Sequence, residues 1–300
     1  MAETSQITRE SQLEELEAGP GFLRKTFSLF RKQPLGIVGA FIVLGMLLIG
    51  ILAPLVAPYD PIEVAFENML LPPGADYWMG TDQFGRDIFS RLLYGAQTAL
   101  FVSFTAAFTG SSLGLVLGVT SAYIGGRFDL LIQRGIDVFQ AFPLIIMALV
   151  IVSIFGSSVQ NVIIAITIPF IPDCARVVRS TALALREIPY IDAARANGFS
   201  NARIVLRHMV PNVMAPYLIM VTTFAGHAIL IEASLSYLGL GVQEPTPAWG
   251  LMLQGGAEEY AESAPWVAIW PGVAISLAVF GFNMFGDAVR DILDPKLRSQ

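Results

Sequence analysis

The chain has 300 residues, of which 54% are hydrophobic and 14% charged, and its formal net charge is −6. Soluble domains carry about 25% charged residues, and several uncharged runs here exceed the roughly 20 residues that a membrane helix needs. A soluble globular domain is thereby excluded, and an all-α polytopic membrane protein is expected. Cys174 is the one cysteine, which excludes an intrachain disulfide and a cysteine-based metal site.

The first residues are acidic (Glu3, Glu10, Glu14, Glu15, Glu17) and have no apolar core. They predict a mobile, solvated stretch over residues 1–20, within a cytoplasmic N-terminal tail expected over 1–34. A cleaved signal peptide is not expected, because the first apolar run comes late and is too long for one. Pro34 to Tyr59 carries no charge and predicts span one at about 35–57. Leu92 to Gly126 is again uncharged and predicts span two at about 95–124. Within it Gly110, Gly114 and Gly118 recur on one helix face, a spacing that suits close helix packing in lipid.

Val138 to Pro172 could hold one overlong helix or two short spans divided at GSSVQN, residues 156–161. Parity decides between them. With two spans, the basic segment 187–212 lies on the same side as the basic N-terminal flank Arg24, Lys25, Arg31 and Lys32. Loops on the cytoplasmic side are enriched in Lys and Arg, so spans at about 138–155 and 160–178 are expected. Spans five and six follow at about 209–238 and 265–286. This arrangement puts 16 of the 18 Lys and Arg residues on the side of the N terminus, with only Arg86 and Arg91 opposite. Ten acids fall on that opposite side, Glu244, Glu258 and Glu259 among them. Six spans with both termini cytoplasmic are expected.

The segment EIPYIDAARANGFSNARIVLRHMVPN, residues 187–212, interrupts the apolar chain. Pro189 suits the first turn of a helix, where its missing N–H is not needed. Asp192 and Arg195, three apart, can pair on one face. Gly198 predicts a break, Ser200 is a candidate N-cap for a second helix, and Pro211 is expected to stop that helix before span five. Ala202, Val205, Leu206 and Met209 are expected on one side of it, with Arg203 and Arg207 on the other. From the residues alone two readings stay open: an elbow lying in the lipid interface with its arginines on headgroups, and a docking surface for another protein.

Asp192, Ala193 and Ala194, then Gly198, then Pro211 resemble the "EAA" loop of ABC-type import permeases, in which Glu-Ala-Ala is followed after three residues by Gly and after nine more by Ile-x-Leu-Pro. Asp192 stands for the Glu, His208 for the Ile and Val210 for the Leu. The ending RHMVPN is similar to that of the dipeptide, oligopeptide and nickel permeases. MGTDQFGRDIFSRLLYGAQTAL (79–100), EASLSYLGLGV (232–242), TPAWG (246–250) and NMFGDAVRDILDP (283–295) resemble further motifs of that branch, and the likeness covers about 35–298. The chain is identified as a member of the binding-protein-dependent inner-membrane permeases. It is similar to the second permease of the pair, which carries its GTD loop between spans one and two.

The resemblance implies a type I ABC importer permease fold over residues 35–298. It also implies that Asp192, Ala193, Ala194, Gly198, Arg203, Arg207, His208 and Pro211 couple the chain to an ATPase. The residues agree with a separate ATPase: there is no G-x4-G-K-[ST] phosphate loop, and Lys25, Lys32 and Lys296 are the only lysines. No cofactor is therefore expected in this chain, with ATP and Mg held by the ATPase subunits. The implied partners are a second homologous permease, two ABC ATPases and an extracytoplasmic solute-binding protein, in the plasma membrane of a bacterium or archaeon and without nucleic acid. Peptide is the implied cargo; nickel chelates, glutathione and opine-like solutes are the alternatives.

On the outer face, Gly80, Thr81, Asp82, Gly85, Arg86, Asp87 and Arg91 form the candidate loop. Its alternating charges are expected to satisfy each other as a clasp over the pore mouth rather than to dock the binding protein. Glu232, Asp173 and Asn283 are the pathway or gate candidates. A carboxylate within a span is a functional candidate, although the late position of Glu232 in span five favours pairing or capping near the outer end. His227 is expected to be packed or hydrogen-bonded. Pro169, Pro172 and Asp173 are expected to break span four, as a hinge or as a span end with snorkelling Arg176 and Arg179. A proton-coupled transporter using Glu232, Asp173 and His227 is the rival class, and it lacks the internal repeat such folds usually show.

Overall fold

The computed structural model describes residues 34–293. The expected tail over 1–34 lies outside them apart from Pro34, as does the end of the 35–298 unit beyond Leu293. Ten α-helices are described. In chain order they are α1 (Pro34–Val56), α2 (Ile88–Ile124), α3 (Gly126–Gln140), α4 (Leu144–Phe155), α5 (Val159–Arg186), α6 (Pro189–Ala196), α7 (Asn201–Ile204), α8 (Met214–Tyr237), α9 (Trp249–Glu259) and α10 (Trp266–Leu293). Five of the resulting rods are long and apolar enough to cross a membrane: α1, α2, α5, the continuous Asn201–Tyr237 and α10. The helices α3 and α4 meet that criterion only when taken as a pair, and they join at a bend of 87°.

Small residues set the helix contacts. Along α1 the buried positions are Gly36, Gly39, Val43, Met46, Gly50 and Ala53, a stripe at helical spacing. Gly39 presses on Gly281 and Met284 of α10, and Gly50 on α2, where Gln97 Nε2 donates to the Gly50 carbonyl at 2.7 Å. The triplet Gly110, Gly114 and Gly118 seats α2 against α5. A Cβ added at Gly114 would lie 2.6 Å from the Cys174 Cβ, and one at Gly110 2.9 Å from the Phe170 Cβ. The two backbones approach where no side chain stands between them.

Three sequence expectations change. The expected break of span four is absent: α5 continues through Pro169, Pro172 and Asp173 to Arg186. Close packing against the glycine face of α2 holds the helix where two N–H groups are missing, a tolerance that membrane helices allow. Pro211 likewise does not end a helix. From α7 the chain runs through a π-helical turn, Val205–Met209, and a 3₁₀ turn, Val210–Val213, directly into α8. Changing pitch accommodates the missing proline N–H without a break, and the Asn212 side chain donates to the His208 carbonyl at 2.7 Å. Span three, expected at 138–155, is a helix only from Leu144, because the chain breaks at Ala141, Phe142 and Pro143.

α9 has no counterpart among the expected spans. Its 11 residues cover about 16 Å, half of a hydrocarbon core. Trp249, at its start, is buried in the groove left by Gly95 and donates its indole N–H to the Leu92 carbonyl at 3.0 Å.

Candidate functional site

The basic end of the bundle carries the 187–212 loop. Pro189 occupies the first turn of α6 and Asn197 ends it; Gly198 then has φ +75°, in the left-handed region that glycine enters without steric cost. Ser200 caps α7 by accepting the Arg203 N–H. Ile191 and Ala194 are buried, while Asp192, Ala193, Arg195 and Gly198 face out, and Asp192 pairs with Arg195 at 3.1 Å. The π turn redistributes the second half. Ile204 and Met209 turn inward, whereas Leu206 is 68% exposed beside exposed Arg203 and Arg207. The expected grouping of Leu206 with Met209 on one side is therefore split. Leu206 joins the outward surface, a place that a regular 3.6-residue period does not predict.

Aromatic contacts make the loop stiff. The Phe199 ring stacks on His208 at 5.9 Å and 13°, and the Arg203 guanidinium lies 4.1 Å over Phe199. Tyr190 donates its hydroxyl hydrogen to the His208 carbonyl at 3.1 Å, which joins the two halves of the loop. The loop is also fixed to the bundle. Tyr123, at the end of α2, donates to Asn201 Oδ1 at 2.7 Å, and Arg186 Nη1 donates to the Ala122 carbonyl at 3.0 Å. Beside it, Arg179 of α5 grips Asp129 of α3 with Nε–Oδ1 2.7 Å and Nη2–Oδ2 2.5 Å.

At the acidic end the candidate loop is a buried charge cluster. Arg86 Nε donates to Asp82 Oδ2 at 2.7 Å, and its two terminal nitrogens grip Glu244 at 2.6 and 3.1 Å. Arg91, fully buried, donates to the Pro61 carbonyl at 3.0 Å and reaches Glu244 at 3.4 Å. Burial alone draws the Arg86 guanidinium down; its hydrogen bond to Glu244 and the charges of Asp82 and Glu244 outweigh this and hold it above its ordinary value. Asp87 takes no part in the pairing. It caps α2, accepting from Ser90 N at 2.8 Å. Gly85, at φ +72°, brings its backbone against the Ala65 carbonyl, where any side chain would collide. Thr81 is buried and accepts from Leu71 N at 2.8 Å. Gly80 precedes it at φ +79°. Glu244 is the member that sequence reasoning did not single out. It stands 158 residues from Arg86, and the only signal is a lone acid between Tyr237 and Trp249.

The three pathway candidates lie apart. Glu232 is 1% exposed in the last turns of α8 and accepts from Ser236 Oγ at 2.7 Å. Asp173 accepts from Gln140 Nε2 at 2.6 Å, across from the bend between α3 and α4. Asn283 is on the exposed side of α10, with its amide beside Gly226 of α8. His227 is exposed rather than packed.

Long apolar rods tied together by glycines, with a basic loop at one end, make this a membrane-spanning helical bundle. The fold is similar to that of the MetNI methionine ABC transporter in its inward-facing conformations, at TM-score 0.55 and 22% identity over 68% of this chain and 96% of that one. The chain belongs to the family of binding-protein-dependent transport system inner membrane components, whose model matches residues 110–299. The N-terminal transmembrane domain of oligopeptide transport permease C matches residues 21–73. The dipeptide transport system permease protein DppC of Alkalihalophilus pseudofirmus is 45% identical over 92% of this chain and 90% of its own length. The glutathione transport system permease protein GsiD of Escherichia coli is 42% identical over 90% and 89%. A putative peptide transport system permease of Brucella abortus is 41% identical over 88% of each. The chain is thus a multi-pass, non-catalytic permease subunit of an ABC importer.

Proposed function

We propose that this permease forms, with a second homologous permease, the pathway of a peptide importer driven by two separate ATPase subunits and supplied by an extracytoplasmic binding protein. The cargo is read from the relatives, which are named for dipeptide, peptide and glutathione transport. The basic end is the cytoplasmic face, by the enrichment of Lys and Arg there.

The observation that carries the coupling role is the two-sidedness of the 187–212 loop. Ile191, Ala194, Ile204 and Met209 anchor it to the bundle, while Asp192, Ala193, Arg203, Leu206 and Arg207 stand outward. Stacking of Phe199 on His208 and the unbroken run through Pro211 into α8 make the loop a short rigid lever. Such a lever transmits rigid-body motion, which a flexible loop cannot. Ala194 belongs to its inner, anchoring side and Ala193 to the surface offered to the ATPase.

The test is reconstitution of the two permeases, the ATPases and the binding protein in liposomes. ATP-dependent uptake of a di- or tripeptide is expected. Ala193→Arg, which adds bulk on the outward side only, is expected to abolish uptake and co-purification of the ATPase while the protein still inserts. Retention of the ATPase by Ala193→Arg would refute the docking assignment.

A further inference from the structure

α4 by itself is too short to cross a membrane. Its 12 residues cover about 18 Å, short of the roughly 30 Å hydrocarbon core. Neighbouring α5 runs the opposite way from Val159, and Asp173 lies about 21 Å along it. Asp173 accepts from Gln140, the last residue of α3, so the break at Ala141, Phe142 and Pro143 sits at the same depth. Irregular backbone at membrane depth occurs where it is buried in protein or lines a water-filled cavity, never facing lipid. Phe142 is 58% exposed and Ala141 and Pro143 are exposed as well, so burial within this chain does not account for it.

A cavity of about 400 Å³ opens there, between the break and α5. Gln140, Asp173 and Arg176 supply its polar wall, and Phe139, Phe142 and Met147 its apolar one. The volume is within the range of small-molecule sites. A second cavity, about 310 Å³, borders the same helices but is lined by Leu117, Leu131, Ile132 and Ile171, with no charged residue. The first is therefore distinct in offering both signs of charge. Because the Gln140 amide N–H donates to Asp173, its Oε1 is the atom left over, and that oxygen is buried without a partner. A buried acceptor left unpaired is costly, and a donor arriving with a ligand would satisfy it. Arg176 is held at 2.9 Å by Asp137, both half-exposed, so its remaining N–H groups stay available at the rim.

We infer that the α3–α4 break and its cavity are a peptide-contacting constriction of the translocation pathway, where Gln140 Oε1 and Asp173 receive backbone or terminal N–H groups and Arg176 receives a carboxylate. A zwitterionic peptide presents these groups together; a simple cation or anion uses only half of the site. This inference rests on the peptide-importer reading above and adds the place at which the permease itself touches its cargo.

Two measurements on the reconstituted complex test it. Phe142→Cys is expected to react with a membrane-impermeant thiol reagent, and a saturating transported dipeptide with ATP and binding protein is expected to slow that reaction; the native Cys174 is buried and gives little background. In uptake assays Asp173→Asn and Gln140→Leu are expected to lower dipeptide transport about tenfold, the loss of one charge-assisted hydrogen bond, and Asp173→Glu to restore most of it. Co-purification of both permeases and the ATPases shows that each variant has assembled. Peptide uptake by the wild type together with an unreactive Phe142→Cys, or with unchanged uptake by Asp173→Asn and Gln140→Leu, overturns the inference and leaves the importer reading intact. A wild-type complex that imports no peptide overturns both.

Discussion

Asp82 shows how much a single loop carboxylate can organise. One oxygen accepts the Phe84 and Arg86 backbone N–H groups at 2.9 and 3.0 Å, and the other pairs with Arg86 at 2.7 Å. Its side chain is 6% exposed, whereas that of Glu244 is 41% exposed. Removing a partner from a buried ion pair costs about 3–5 kcal/mol; Glu244 also faces the buried Arg86 and Arg91, but water reaches its half-exposed carboxylate and takes over part of its role once it is removed. Asp82→Ala is therefore expected to lower thermal stability in detergent far more than Glu244→Ala, measured by tryptophan fluorescence. Equal losses would contradict the division of labour drawn here. Alternating charge at 82–91 made the cluster legible in the sequence. Glu244 was not legible, because nothing local marks a partner brought in from another loop.

Helices in this bundle are spaced by glycine, and the consequence differs from one glycine to the next. A methyl at Gly114 meets the Cys174 Cβ at 2.6 Å and the Ala175 amide nitrogen at 2.9 Å, whereas one at Gly45 of α1 meets nothing within 4 Å. Gly114→Ala is expected to destabilise by about 1–3 kcal/mol through overpacking. Gly45→Ala is expected to be neutral or to stabilise by up to about 1 kcal/mol, since alanine favours the helix. Unfolding of both variants in the same detergent reads the contrast directly. The i+4 recurrence in span two announced the first contact. The break at Ala141–Pro143 and the pitch change at Val205–Val213 were not announced, because hydropathy counts charges and does not register where backbone hydrogen bonding fails. Pro169, Pro172 and Pro211 mark places of missing N–H groups. Packing decides whether such a place becomes a break, a change of pitch or an uninterrupted helix.

Across the whole molecule, the basic end is joined to the membrane rods by the continuous Asn201–Tyr237 helix and by side-chain links beside it. The Tyr123–Asn201 hydrogen bond, the Arg186–Ala122 contact and the Arg179–Asp129 pair connect the loop, α2, α3 and α5. Arg179 and Asp129 have side chains 25% and 15% exposed. Asp129→Ala is expected to reduce uptake several-fold while leaving ATPase docking intact. The charge-swapped pair Asp129→Arg with Arg179→Asp is expected to recover part of it. Uptake and ATPase co-purification measured together separate loss of transmission from loss of docking. At Gly198 no neighbour lies within 4 Å, so Gly198→Ala meets only the cost of its positive φ, about 1 kcal/mol. Gly198→Pro is expected to abolish transport, because proline cannot adopt φ +75°.

The sequence by itself determined the membrane class, the side on which positive charge gathers, and the loop motif, since each follows from composition and spacing along the chain. Hydrophobic run length and charge asymmetry act locally and need no partner to be read. Tertiary structure decided which face of the 187–212 loop is offered outward, which glutamate joins Arg86 and Arg91, and that α3 and α4 meet at a bend of 87°. Those outcomes depend on groups far apart in sequence meeting in a low-dielectric interior, where an unpaired charge or N–H is costly. The segment from Glu187 to Asn212 carries its motif in one dimension, but the π turn that exposes Leu206 and buries Met209 exists only once Pro211 has been fitted into a continuous helix.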